Sequence, residues 1–351
     1  MSTSTAGDSL LTELRRLGAE AGLVEMGVAP VERFDRTRED LVERRRQGLH
    51  AGMQFTYRDP DRSTDPARLL AGARSLVVGA IAYPAGTPAP PSFPGPAGRV
   101  ARYASLDHYG RLRRALEVVA ARLESAGHRA RIVLDDNALV DRAAAHRAGI
   151  GWWGHNTNLL SPEHGSWIVL GSVVTDADLP PSTPVPDGCG PCRRCLDGCP
   201  TGAIVAPGVL DARRCLAWLV QAEGPFPVEH RVALGDRIYG CDDCQEVCPP
   251  SRRAPAMRAA VEGEPWVDLL HLLAADDAEL LDRHGRWYVP RRDPRYLRRN
   301  AIVALGNTAA PDDVAVITVL RRFADGDDEL LAEHAQWALV RLTERSDGTA
   351  P

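Results

Sequence analysis

The chain has 351 residues, 44% of them hydrophobic and 25% charged, with a formal net charge of −5. That length is more than one hydrophobic core usually organises, so two or three domains are expected. The acidic balance argues against a chain-wide nucleic-acid surface. The absence of any run of about 18 apolar residues argues against a membrane span.

The first elements follow from periodicity. Leu10, Leu11, Leu14 and Leu17 stand at helical spacing, predicting a helix over Asp8–Gly22. This N-terminus shows neither a signal-peptide pattern nor a twin-arginine leader, so a cytoplasmic location is expected. Ser75–Tyr83 reads as a strand, and the proline- and glycine-rich Pro84–Gly98 as a loop. Gly110–Gly127 reads as a helix, Arg129–Leu134 as a strand, Asp141–Gly149 as a helix and Ser166–Thr175 as a buried strand. The alternation predicts an α/β or α+β first half, closed by the proline-rich Asp176–Gly188. Beyond about Pro255 a helical tail is expected. Ala301, Ala304 and Leu305 match Ala335, Ala338 and Leu339 at a period of 34, which suits stacked helix pairs.

All eight cysteines lie between the two halves. Cys189, Cys192, Cys195 and Cys199-Pro200 form C-x2-C-x2-C-x3-C-P, a ferredoxin spacing in which the fourth cysteine serves the other cluster. Cys241, Cys244 and Cys248-Pro249 form a second run, but Ile238 stands where its first cysteine is expected, and Cys215 is left over. Crossed ligation uses every thiol. Cys189, Cys192, Cys195 and Cys248 would hold one 4Fe-4S cluster; Cys199, Cys215, Cys241 and Cys244 would hold the other. Two zinc sites would use the same number of thiols but favour paired C-x2-C units. Disulfides suit a reducing compartment poorly. Two close clusters suggest an electron wire, whose destination spacing alone does not reveal.

Asp135–Asp176, the two cysteine runs with Cys215 between them, Arg298–Leu305 and, more loosely, Ala101–Gly110 resemble the epoxyqueuosine reductase family. The likeness runs from about residue 20 to 342. It implies an α+β multidomain protein: a nitroreductase-like α/β domain over 1–180 that binds cobalamin without a protein ligand to cobalt, a ferredoxin-like double-cluster module over 181–255, and a HEAT-like helical domain over 256–351. It implies reduction of epoxyqueuosine to queuosine at the tRNA wobble position, with electrons from an unidentified low-potential donor. Asp135, in D-x-x-x-L-x-D-R, falls at the position of the family's proton donor. Arg62, Ser63, Arg102, Asn156 and Leu170 are the expected cofactor contacts. The chain departs from the family pattern at Asp136-Asn137-Ala138, at His155 in place of a lysine, and at His108-Tyr109. Two other readings accompany this one: a corrinoid iron–sulfur reductase acting on a small molecule, as in reductive dehalogenases, and a non-catalytic electron-transfer protein.

Arg283–Arg299 holds seven arginines and one aspartate, with Trp287, Tyr288 and Tyr296 interleaved. Arginine grips phosphate and aromatic rings stack on bases, so Arg291, Arg292, Arg295, Arg298 and Arg299 are expected contacts for a tRNA anticodon stem-loop.

Overall fold

The computed structural model describes residues 2–86 and 93–348. In chain order the first half comprises α1 (Ser2–Glu20), β1 (Glu25–Pro30), β2 (Ser75–Ala82), β3 (Ala97–Val100), α2 (His108–Ser125), β4 (Ala130–Val133), α3 (Asp141–Arg147), β5 (Trp152–Trp153), β6 (Leu159–Leu160) and β7 (Ile168–Thr175). Short helical turns then carry the cysteines. They are followed by β8 (Arg237–Tyr239), β9 (Trp266–Asp268), α4 (Leu269–Ala274), α5 (Asp277–His284), α6 (Arg295–Thr308), α7 (Val314–Ala324) and α8 (Glu329–Ser346).

The principal sheet has the order β1-β2-β7-β4, with every neighbouring pair antiparallel. Its two central strands are apolar on both faces because both faces are covered. Val77, Ile81, Val169 and Val173 pack with Leu11 and Leu14 of α1 and with Leu112, Leu116 and Val119 of α2. Leu76, Val78, Leu170 and Val174 pack with Ala143–Ala145 of α3 and with Ala138, Leu139 and Phe34. Gly79 and Gly171 face each other across β2 and β7. A Cβ on Gly171 would lie 2.8 Å from side chains of Leu116 and Leu134, so these glycines let α2 sit close to the sheet.

A second, three-stranded sheet joins parts that the sequence reading separates. β3 pairs in parallel with β8, which lies among the cysteines, and antiparallel with β9 from the tail. The expected loop Pro84–Gly98 therefore ends in a strand at Ala97, and its residues 87–92 lie outside the described residues. The tail likewise begins with a 3-10 turn and β9 before it becomes helical. β1 and the helix Asp35–Arg46 are further elements beyond the expected set.

The 34-residue match falls on α6 and α8, which pack together. Ala301, Ala304, Ala335 and Ala338 are fully buried, and a Cβ on Gly306 would stand 2.9 Å from Cα of Ala338. The matched small residues are the two sides of one close helix contact. Among the described residues no helix is long and apolar enough to cross a membrane.

Candidate redox and acid site

None of the eight cysteines is in a disulfide. Cys195 sits in the turn Arg194–Asp197, Cys215 caps the turn Leu216–Leu219, Cys244 lies in Asp243–Glu246, and Cys248 caps Pro249–Arg253. Burial pushes the Cys195 thiol up to about 11, with the charges of Cys248, Cys189 and Cys192 adding. Burial also raises Cys248, again with Cys189 and Cys192 adding. Cys244 is raised far more by burial, then by Cys241, Cys215 and Cys199. The fold thus gathers Cys189, Cys192, Cys195 and Cys248 in one place, and Cys199, Cys215, Cys241 and Cys244 in another. Buried, mutually repelling thiols are a donor set completed by cations. Among the described residues no three His, Cys, Asp or Glu side chains are arranged to hold a single metal ion. Zinc requires its sulfurs about 2.3 Å from one point. A cubane instead spreads four thiolates over four irons.

Sulfurs of both sets accept hydrogen bonds from N–H groups. The Trp152 Nε1–H donates to Cys189 Sγ at 3.4 Å, and the Ala203 amide donates to Cys199 Sγ at 3.2 Å.

Two expected cofactor contacts make hydrogen bonds to the cysteine loops. Arg102 is 4% exposed. Its amide and Nη1 donate to Asp242 Oδ2 at 2.9 and 3.1 Å, and Nη1 also donates to Glu246. Its Nε donates to the carbonyl of Gly86, and its guanidinium lies over the Trp167 ring. Asp242 stands between Cys241 and Cys244, so Arg102 fastens the α/β part to that loop. Asn156, also buried, donates from Nδ2 to the Cys244 carbonyl at 3.4 Å. Ser63 is fully buried, donating to the Thr56 carbonyl at 3.0 Å. Arg62 is exposed, its amide capped by Asp59. Leu170 lies on the sheet face shared with α3. His155, the departure from lysine, is bonded through Nδ1 to the Cys192 carbonyl at 2.8 Å.

Asp135 follows β4 with φ of 48°, the left-handed region that is costly for a residue with a Cβ. Asp136 Oδ1 accepts the Ala138 amide at 2.8 Å, so the neighbour closes the turn and leaves the Asp135 carboxyl free of that duty. Asp135 has solvent access. The atoms crowded round its carboxyl still make burial the first cause of its raised pKa, with the Asp136 charge second. Asp141, at the start of α3, is raised far more by burial, then by Asp135. Its Oδ1 is buried without a hydrogen-bond partner among the described residues. Burial raises Tyr109, with Asp135 and Asp141 adding. The Arg142 guanidinium acts in the opposite sense on Asp141, Tyr109, Tyr83, Tyr57 and the Cys215 thiol. The Arg142 charge is therefore felt at Asp141 and at the Cys215 thiol. Sequence reading selected Asp135 and passed over Asp141, although both belong to the same D-x-x-x-L-x-D-R run.

The basic segment divides sharply. Arg299, expected at phosphate, is fully buried and donates to the carbonyls of Leu219, Ala222 and Gly224. Arg298 is spent on Asp277 and the Ala275 carbonyl. Trp287 and Tyr296 are buried, with Trp287 stacked on Tyr239 at 4.8 Å, so neither ring is available to a base. Arg295 pairs with Asp293 and lies near Asp328. Arg291, Arg292 and Tyr288 remain at the surface. Arg291 and Arg292 both have positive φ, 54° and 55°.

Residues 188–251 match the family model described as a 4Fe-4S double cluster binding domain. The chain is 34% identical over 335 residues to the epoxyqueuosine reductase of Bacillus anthracis, covering 92% of this chain and 86% of that one. It is also 34% identical over 355 residues to the epoxyqueuosine reductase of Vibrio cholerae, covering 96% and 93%. An epoxyqueuosine reductase crystallised with an epoxyqueuosine-modified tRNA-Tyr stem loop superposes with a TM-score of 0.86 at 32% identity, over 95% of this chain and 90% of that one. The same values hold for a Bacillus subtilis epoxyqueuosine reductase in which an aspartate-bearing catalytic loop is swung out of the active site.

Proposed function

The chain belongs to the epoxyqueuosine reductase family, and from that premise we propose that it removes the epoxide oxygen of epoxyqueuosine at the tRNA wobble position, yielding queuosine. Taking oxygen from an epoxide as water, with formation of a carbon–carbon double bond, consumes two electrons and two protons. The single observation that carries the reading is the 34% identity to an epoxyqueuosine reductase over 92% of this chain.

Two 4Fe-4S clusters are the bodies the cysteine sets hold, with Cys189, Cys192, Cys195 and Cys248 on one and Cys199, Cys215, Cys241 and Cys244 on the other. The loop 186–194 is exposed apart from the half-buried Cys189 and Cys192, whereas 239–244 is buried or half-buried throughout, so the first cluster is the entry point for a low-potential donor protein. The second stands nearer the acids. Cobalamin fits the same neighbourhood: the buried, unpaired Asp141 Oδ1 offers an acceptor where a corrin amide would donate. When bound, cobalamin supplies the low-valent, electron-rich centre that epoxide opening requires.

The protein's own part is proton supply and placement. Asp135 is the acid for the departing oxygen, its pKa shifted upward by burial and by the Asp136 charge. Asp141, shifted further upward by burial, is the second carboxyl beside it. Asp136 fixes the turn from which Asp135 projects.

The solved relative with a bound tRNA stem loop supports tRNA as partner. On this chain Arg291 and Arg292, with Tyr288 beside them, are the contacts we retain from the basic segment. The proposed domain division is nitroreductase-like over 1–180, cluster module over 181–255 and HEAT-like over 256–351. The close packing of α6 on α8 supports its last part. A tRNA substrate accords with a cytoplasmic site of action. The test is Asp135→Asn in cluster- and cobalamin-loaded protein. Turnover should fall about 10²–10⁴-fold with cofactor spectra unchanged; full activity would remove Asp135 from the mechanism.

A further inference from the structure

The β5–β6 hairpin presents two tryptophans in succession to opposite sides. Trp153 faces outward at 38% exposure, while Trp152 is 7% exposed. Trp152 packs with Leu160 and Cys248, and with the partly buried Val185 and Cys189. A Cβ on Gly188 would lie 2.8 Å from the Trp152 ring, so the backbone leading into Cys189 runs directly against the indole. In that setting the indole Nε1–H reaches Cys189 Sγ at 3.4 Å. The donor belongs to the α/β part and the sulfur to the cysteine module.

We propose that Trp152 is a positioning residue for electron entry: its N–H bond to Cys189 holds the potential of the Cys189–Cys192–Cys195–Cys248 cluster above the value the cluster would otherwise have. This rests on the cluster assignment made above. An N–H donor stabilises a thiolate more as the cluster behind it gains an electron, because the sulfur becomes a better acceptor. The bond therefore favours the reduced state. Because it crosses from one part of the protein to the other, the ease of reducing the entry cluster depends on how those parts are seated.

The test is a redox titration of anaerobic, cluster-loaded Trp152→Phe, read by EPR, with iron and sulfide measured on the same samples. Phenylalanine keeps most of the packing and removes the N–H. The reduced-to-oxidised ratio of this cluster at fixed potential should drop about fivefold, or about 40 mV for a one-electron couple, with the second cluster unmoved. An unchanged midpoint, or an equal shift of both clusters, overturns the proposal. Should the variant lose its cluster, pulsed EPR of the reduced native protein in H2O and D2O decides. A cluster-coupled exchangeable proton supports the indole bond, and its absence overturns it. Native protein lacking iron and sulfide would instead defeat the cluster assignment itself, and this proposal with it.

Discussion

Arg299→Met separates a structural arginine from a nucleic-acid contact within a single charge run. The side chain is fully buried. Its Nη1 donates to the Ala222 and Gly224 carbonyls, its Nη2 to the Leu219 carbonyl at 2.9 Å, and its Nε to Asn300 Oδ1 at 3.1 Å. Burial lowers its pKa to about 10, which leaves it charged at neutrality. Methionine fills much of the volume but strands the backbone carbonyls, each costing about 1–3 kcal/mol. After partial relaxation a net loss of about 3–5 kcal/mol is expected, a large part of the roughly 5–15 kcal/mol typical of a folded domain. The stranded carbonyls continue directly from the turn that Cys215 caps. The loss should therefore appear as early bleaching of cluster absorbance in an anaerobic urea titration, alongside far-UV circular dichroism. Arg291→Ala should match the parent in the same titration. Native-like stability of Arg299→Met combined with weakened tRNA binding would refute this placement and return Arg299 to the RNA surface.

Cys199→Ala should damage the cluster of Cys215, Cys241 and Cys244 while sparing that of its own loop, seen as loss of one of two EPR signals. Loss of the Cys189 set instead would contradict the crossed pairing. Asp141 is raised in the folded state, so its contribution to stability is fully present below the ordinary carboxyl pKa of about 4 and is lost as pH rises through the raised value. The stability of Asp141→Asn relative to the parent should accordingly grow with pH from about 4 upward; a constant difference across that range would show that Asp141 does not titrate there. Replacing Arg291 and Arg292 by alanine should lower the salt dependence of tRNA affinity, by about 0.7–0.9 in log–log slope for each phosphate no longer neutralised, with both clusters intact. The Arg291–Glu223 pair is exposed and weak, so the arginine is released to phosphate at little cost.

Local physics was legible in the sequence wherever it dominated. The strands Ser75–Ala82 and Ile168–Thr175 are apolar on both faces because helices cover both faces, and they read as continuous apolar runs. The cysteine spacing is the source of the crossed pairing that the Cys199→Ala experiment tests. Non-local pairing was hidden: β3, β8 and β9 are short strands from three distant segments, and nothing in any one announces the others. Charge misled at Arg299, where a guanidinium serves as a buried cap for backbone carbonyls. Its spacing of three from Tyr296 and four from Val303 places it on a buried helical stripe, a signal that periodicity could have supplied. The bonds that tie Arg102 and Asn156 to cysteine loops 140 and 88 residues away are equally hidden from a local reading. Asp141 was missed because its significance lies in a buried, unpaired oxygen, which only three-dimensional packing reveals.

The most direct measurement is conversion of the RNA itself. Anaerobically prepared protein with both clusters and added cobalamin is given a chemical reductant and epoxyqueuosine-containing tRNA, and the nucleosides are released and weighed by mass spectrometry. The account predicts a product lighter by one oxygen at the wobble nucleoside, formed by the native protein and lost in Asp135→Asn. Unchanged epoxyqueuosine in the presence of intact clusters and bound cobalamin would contradict it.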